Sequence, residues 1–138
     1  MHEQSRGHIL RTINSTIDSR GVARVTLARS AVFNAFDESL IQELTEVFVR
    51  LSADPTIRCV VLGAEGRIFC SGADIAWMQR QSENSHEDNL RDARRFADMM
   101  RAIHECAKPV IVRVQGHAFG GGVGLMAAAD IVISVCDA

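Results

Sequence analysis

The chain has 138 residues, 47% apolar and 23% charged, with a net charge of −2. That is the balance of one globular domain long enough to bury a core, and without a basic block nucleic acid is not an expected partner. No apolar run reaches the length of a membrane span, and the opening "MHEQSRGHIL" lacks the apolar stretch of a signal peptide.

Two strands are expected first, in "HILRTINST" and "GVARVTLAR", joined by the turn-prone "DSRG" from Asp18 to Gly21. From Asp37 to Ala53 the period becomes helical. Leu40, Ile41, Leu44, Val47, Phe48 and Leu51 fall on one stripe, with Asp37 as N-cap. "IRCVVLGA" shows little alternation and reads as a strand covered on both faces. The loop "EGRIFCSGAD" and a short helical stretch, "DIAWM", follow. "QRQSENSHEDN" reads as a polar, mobile connection without a fixed conformation.

A second long helix is expected from His86 to Cys106, with Leu90, Ala93, Ala97, Met100 and Ile103 inward and the arginines facing water. Lys108-Pro109 ends it, "VIVRV" is the next strand, the glycine segment opens a helix, and "DIVISV" is another strand. Strands alternating with helices predict an α/β fold, mainly parallel after an opening antiparallel pair. Only three residues follow that last strand, which reads as an interrupted fold. Cys59, Cys70, Cys106 and Cys136 form no C-x-x-C pair, and Cys59 and Cys136 sit inside apolar runs. Reduced, mostly buried thiols in a cytoplasmic protein, with no metal centre, are therefore expected.

The chemistry concentrates in "KPVIVRVQGHAFGGGVGLMAAADIVIS", Lys108 to Ser134. A phosphate loop requires Gly-Lys-Ser/Thr, but Gly120, Gly121 and Gly122 are followed by Val123 and Gly124. A nucleophile elbow requires G-x-S-x-G, and no serine lies there. Gly122, Gly124 and Ala127 satisfy G-x-G-x-x-A, but Gly122 lies well past the strand end at Val114, too late for a dinucleotide fingerprint. An oxyanion hole remains. A helix N-terminus offers unpaired N–H groups, and glycine lets a carbonyl oxygen approach them. "FCSGADI", Phe69 to Ile75, is a second small-residue loop after a buried strand and would supply a second donor. On spacing alone, a purely packing role for both glycine stretches stays open.

These loops, taken together with a third segment, resemble the crotonase superfamily, the enoyl-CoA hydratase/isomerase fold. "LARSAVFNAF" is similar to its L-N-R-P-x-x-x-N-A-L, and "RIFCSGADIAWM" to its A-F-x-A-G-A-D-I-x-x-M. The Lys108–Ser134 segment is similar to its K-P-V-I-A-A-V-x-G-x-A-x-G-G-G-x-E-L-A-x-x-C-D-I. The resemblance covers nearly the whole chain, but only the first half of a family member. It implies a ββα spiral fold over residues 1–138, mainly parallel and flanked by helices, cut before the C-terminal helical region.

The resemblance also implies roles. The backbone N–H groups of Ala73 and Gly121 would be the oxyanion donors. Phe33, Ala35, Ser71 and Ile75 would border the coenzyme A adenine and pantetheine, within binding loops that include Gly72, Gly120, Gly122 and Gly124. Arg29 would serve the phosphates or stand as a strand-end cation. Asp74 is expected to cap the stretch after it, and Asp130 to hold the start of the last strand. Trp77 and Met78 would line the acyl pocket or pack in the core. The substrate would be an acyl-CoA thioester, with coenzyme A arriving as part of it and no separate cofactor. The assembly would be a trimer or hexamer.

Ala28 and Ser30 replace the family's Asn and Pro. Gly124 stands where many hydratases carry their first catalytic glutamate, and the second would lie beyond Ala138. Members with this "GGGVGL" form include isomerases and hydratases of branched or carboxylated enoyl-CoAs, such as methylglutaconyl-CoA. His86, Glu87 and His117 are the other residues weighed as a base. Rival readings are a non-catalytic binder of CoA esters and, more distantly, an NAD-binding module.

Overall fold

The computed structural model describes residues 10–138, so His8 and Ile9 of the expected first strand lie outside the described residues. β1 (Ile13–Ile17) and β2 (Val22–Leu27) pair antiparallel, with Ile13 opposite Leu27 and Ile17 opposite Ala23. Asp18 closes their turn: its Oδ1 accepts from the Arg20 and Val22 amides at 2.9 and 3.1 Å. Such side-chain acceptance is why Asp favours turns.

α1 (Glu38–Ala53) follows, with the Asp37 carboxylate accepting from Leu40 N at 2.9 Å. Its six buried residues are the six of the sequence stripe. β3 (Cys59–Ala64) then pairs parallel to β2, β4 (Val110–Val114) parallel to β3, and β5 (Ile131–Ser134) parallel to β4. The sheet order is β1-β2-β3-β4-β5. Between β3 and β4 lie α2 (Ile75–Glu83) and α3 (His86–His104); between β4 and β5 lies α4 (Gly121–Ala128). The core joins Val25, Leu27, Val60, Leu62 and Val112 of the sheet to Leu40, Leu44 and Phe48 of α1 and Met99 and Ile103 of α3.

Four expectations need correction. The "QRQSENSHEDN" segment is almost entirely helical: α2 runs to Glu83 and α3 starts at His86. Ser85 caps α3 by accepting from Asp88 N at 3.1 Å, and Asn89 Nδ2 donates to Gln81 O at 3.0 Å, tying the two helices together. Polar composition concealed two caps and a tight bend.

The inward face of α3 is also turned from the expected line. Ile103 is buried and Met100 half-buried as expected, but Leu90, Ala93 and Ala97 are exposed, and Met99, buried, and Phe96, half-buried, take their place. Phe and Met offer more apolar area than Ala, so their side of the helix wins the core. β3 is covered fully on one face only: Val60 and Leu62 are buried, Cys59 and Val61 half-buried. Cys136 is exposed, and of the four thiols Cys70 alone is fully buried.

Candidate active site

β3 and β4 are parallel neighbours, so the loops leaving their C-terminal ends begin side by side, where ligands of parallel sheets bind. Those loops are laced together. Phe69 N donates to His117 O at 3.0 Å, and Phe119 N donates to Cys70 O at 2.9 Å. Where they touch, Gly72 and Gly120 adopt φ of +91° and +51°, a backbone region closed to most side chains. A Cβ on Gly122 would lie 2.6 Å from Cys70 O, so only glycine permits this approach.

A third segment docks on the first loop. Ser71 N donates to Phe33 O at 3.0 Å, Phe36 N to Gly72 O at 2.8 Å, and Asp74 N to Phe36 O at 2.8 Å. This pairing engages the Gly72 carbonyl and the Asp74 N–H and leaves the Ala73 N–H without a partner among the described residues. At the head of α4, Gly122 N donates to Phe119 O and Val123 N to Gly120 O, at 2.8 and 3.0 Å. The Gly121 N–H is likewise unpartnered among the described residues, and no side chain caps this end. Ala73 and Gly121 line one cavity of about 430 Å³, shared with Phe36, Trp77 and Phe96. Phe36 and Phe96 meet edge to face there, with centroids 5.2 Å apart. The arrangement is two backbone donors and a positive helix end on one apolar-walled cavity, which suits an oxygen gaining negative charge.

The other expected residues fall in several places. Phe33 and Ser71 are joined by the hydrogen bond above, and Ala35 is buried beside them. Phe33 has a φ of +55° and is 59% exposed, and Ile75 is 70% exposed at the head of α2. Asp74 caps α2, accepting from Trp77 N at 3.1 Å. Burial pushes its pKa up, but the Trp77 amide and the Arg29 guanidinium outweigh that and hold it below the ordinary value. Arg29 is turned inward. Its Nη2 lies 2.9 Å from Asp37 Oδ2 and 3.2 Å from Asp74 Oδ2, and its Nη1 donates to Ala35 O. Asp130 accepts from Val110 N at 2.8 Å, joining the start of β5 to β4.

Trp77 is buried on the cavity wall, whereas Met78 is half-exposed outside it. Gly124 faces Met100, whose Cε would lie 2.9 Å from an added Cβ. His86, Glu87 and His117 are exposed and line neither this cavity nor its neighbour of about 390 Å³. Burial raises the Cys70 thiol to about 11, so it stays protonated and is no nucleophile.

Three residues escaped the sequence reading. Asn34 is fully buried and bonds Glu65 O, Ile68 O and Arg29 N at 2.8, 3.0 and 2.9 Å, which fixes the approach to the loop. A Cβ on Gly116 would lie 1.9 Å from Arg67 O, so the two loops pass in direct contact there. Asp92 lines the cavity from α3. Spacing carries no signal for Asp92, whereas Asn34 and Gly116 stand at the Asn and the Gly of the family patterns matched above and were given no role there.

The chain matches the family model "Enoyl-CoA hydratase/isomerase" over residues 18–138. It is similar to the enoyl-CoA hydratase ACTT6 of Alternaria alternata, 35% identical over 119 residues, covering 86% of this chain and 38% of that protein. It is 33% identical to the mitochondrial Delta(3,5)-Delta(2,4)-dienoyl-CoA isomerase of Mus musculus, covering 99% of this chain and 44% of that one. The crystal structure of an enoyl-CoA hydratase from Shewanella pealeana superposes with a TM-score of 0.88 at 38% identity, covering 91% of this chain and 47% of the other. The chain thus spans about two fifths to half of the length of these relatives. On loops, sheet order and sequence together, it belongs to the enoyl-CoA hydratase/isomerase family, the crotonase superfamily.

Proposed function

We propose that the cavity between the two loops receives an acyl-CoA thioester, with its carbonyl oxygen between the N–H groups of Ala73 and Gly121. The observation that carries this reading is the pair of unpartnered amides on one cavity wall. As a proton leaves or joins the acyl chain, negative charge grows on the thioester oxygen, and each donor lowers that barrier by about 3–4 kcal/mol. The exposed Phe33 and Ile75 flank the same loops and offer apolar contact to the coenzyme's adenine and pantetheine. Coenzyme A arrives with the substrate, and the chemistry calls for no further cofactor. The reaction is hydration of an α,β-unsaturated acyl-CoA, including branched or carboxylated ones, or the related shift of a double bond.

Binding of acetoacetyl-CoA, followed by calorimetry, tests the site. The wild-type protein binds it, and Ala73→Pro, which removes one donor, weakens binding about 10-fold or more. Equal affinities would remove the oxyanion assignment. A second reading is a binder of CoA esters without turnover. It is favoured by Gly124, which places no carboxylate on α4 beside the cavity. Hydration of crotonyl-CoA above background eliminates it.

A further inference from the structure

The Ala73 N–H takes its direction from a very small piece of structure. Phe36 and Ala73 form an isolated parallel bridge outside the five-stranded sheet. It consists of the two bonds already described, Phe36 N to Gly72 O and Asp74 N to Phe36 O, each 2.8 Å. In such a bridge the groups on either side of the central residue face the partner strand, and the central residue's own N–H faces away from it. Any tilt or slip of the bridge therefore re-aims the Ala73 donor. A typical hydrogen bond adds only modest net stability, so two of them fix that angle weakly by themselves.

One side chain grips the bridge from both strands. Arg29 Nη2 lies 2.9 Å from Oδ2 of Asp37, the residue after Phe36, and 3.2 Å from Oδ2 of Asp74, the residue after Ala73. Its Nη1 donates to the carbonyl of Ala35, the residue before Phe36. The base of this side chain is fixed as well. Arg29 N donates to Asn34 Oδ1 and Asn34 N donates to Arg29 O, both at 2.9 Å, and Asn34 is fully buried. The two carboxylates are anchored in turn by helix starts, Asp37 by Leu40 N and Asp74 by Trp77 N. None of the three charged side chains is more than 18% exposed, so solvent ions screen these contacts weakly. One guanidinium against two carboxylates leaves a net −1, which does not attract an anion. None of the three lines the cavity of Ala73 and Gly121. What the group does for a thioester oxygen, it does through position.

We infer that Arg29 is a positioning residue of the oxyanion site, holding the Phe36–Ala73 bridge at the angle that presents the Ala73 N–H to the cavity. The inference rests on the acyl-CoA reading above. Its consequence is selective: loosening this grip weakens the hold on a thioester oxygen and leaves the hold on the rest of the coenzyme A molecule as it was.

Calorimetry with two probes tests this. Acetoacetyl-CoA carries the thioester oxygen, and S-(3-oxobutyl)-CoA is the same molecule with CH2 in place of the thioester C=O. Arg29→Lys keeps the charge but replaces a planar fork by one ammonium that cannot span three acceptors. It is expected to bind acetoacetyl-CoA about 10-fold more weakly and the thioether unchanged. Asp74→Asn keeps a good N-cap but turns an amide nitrogen toward the guanidinium, and the same selective loss is expected. It decides the matter if thermal melts show Arg29→Lys unfolded. The infrared C=O stretch of bound [1-13C]acetoacetyl-CoA is a third readout, which a mere change of stability does not move. It lies below the free-ligand value in the wild type and returns toward that value in both variants. Equal weakening of both probes, as a lost phosphate contact would give, overturns the role of Arg29, and so do unchanged affinities and carbonyl frequency in both variants. A wild type that fails to bind acetoacetyl-CoA, or binds both probes equally, overturns the oxyanion site itself, and the role of Arg29 falls with it.

Discussion

Arg29 shows how a side chain can be claimed by the fold. Its guanidinium, 17% exposed, bridges Asp37 and Asp74, the N-caps of α1 and α2, and also bonds Ala35 O. Arg29→Ala leaves two carboxylates facing each other, and a loss of about 3 kcal/mol is expected, read as a lower Tm without ligand. An unchanged Tm would return the residue to a surface role on the coenzyme phosphates. Asn34 is a neutral counterpart: Asn34→Ala strands two carbonyls and one amide, and about 2 kcal/mol of stability is expected to go. Glu43 ties the start of the chain to α1, accepting from Arg11 N, Thr12 N and Thr12 Oγ1 at 3.0, 2.9 and 2.6 Å. Burial raises its pKa, but the bonds from Thr12 and Arg11 more than offset this and hold it below the ordinary value. A lowered folded pKa stabilises above the unfolded value, about 4.3, and that contribution fades as pH falls through the folded value. Urea melts should therefore show wild type more stable than Glu43→Gln at pH 7, with the gap closing toward pH 3.

At the scale of elements, two of the three glycines of α4, Gly122 and Gly124, respond oppositely to one methyl group. At Gly122 the new Cβ meets backbone, Cys70 O at 2.6 Å, which cannot yield without parting the two loops. Gly122→Ala is expected to cost about 2 kcal/mol or more. At Gly124 the nearest atom is the free end of Met100, which can swing away. Gly124→Ala is expected to be neutral or to stabilise by up to about 1 kcal/mol, because alanine is the better helix former. Thermal melts of both variants check the contrast; a shared sign would mean the loops are less tightly joined than the hydrogen bonds indicate. The elements also divide by legibility. Asp37, the stripe of α1, the Val110–Val114 strand and the glycine helix could be read from the chain because each has a strong local signal. The junction at Asn84 and Ser85 could not, since capping bonds such as Ser85 to Asp88 look like any polar run. The first turns of α3 were misjudged because Leu90, Ala93 and Ala97 make an acceptable stripe with Met100 and Ile103, and only the position of α1 and the sheet selects Phe96 and Met99 in place of those three.

At the scale of the whole sheet, one flank is uncovered among the described residues. β5 is an edge strand whose four residues are all exposed, with Ile131 at 51%, Val132 at 41% and Ile133 at 59%. A free apolar edge pairs readily with another chain. Light scattering is expected to show the mass of this chain rising with concentration, and Ile133→Lys to reduce that rise; a constant monomer mass in the wild type counts against it. What the chain alone determined was the alternation of strands and helices, the antiparallel opening and the two glycine loops. Those follow from periodicity and from glycine's lack of a side chain, both local properties. Tertiary structure decided that Arg29 turns inward, that Asp92 stands on the wall shared by Ala73 and Gly121, and that the amides of those two residues find no partner among the described residues. The reason is geometric: a hydrogen bond left unmade, or a carboxylate brought to a cavity by a helix folded over a sheet, depends on residues tens of positions away.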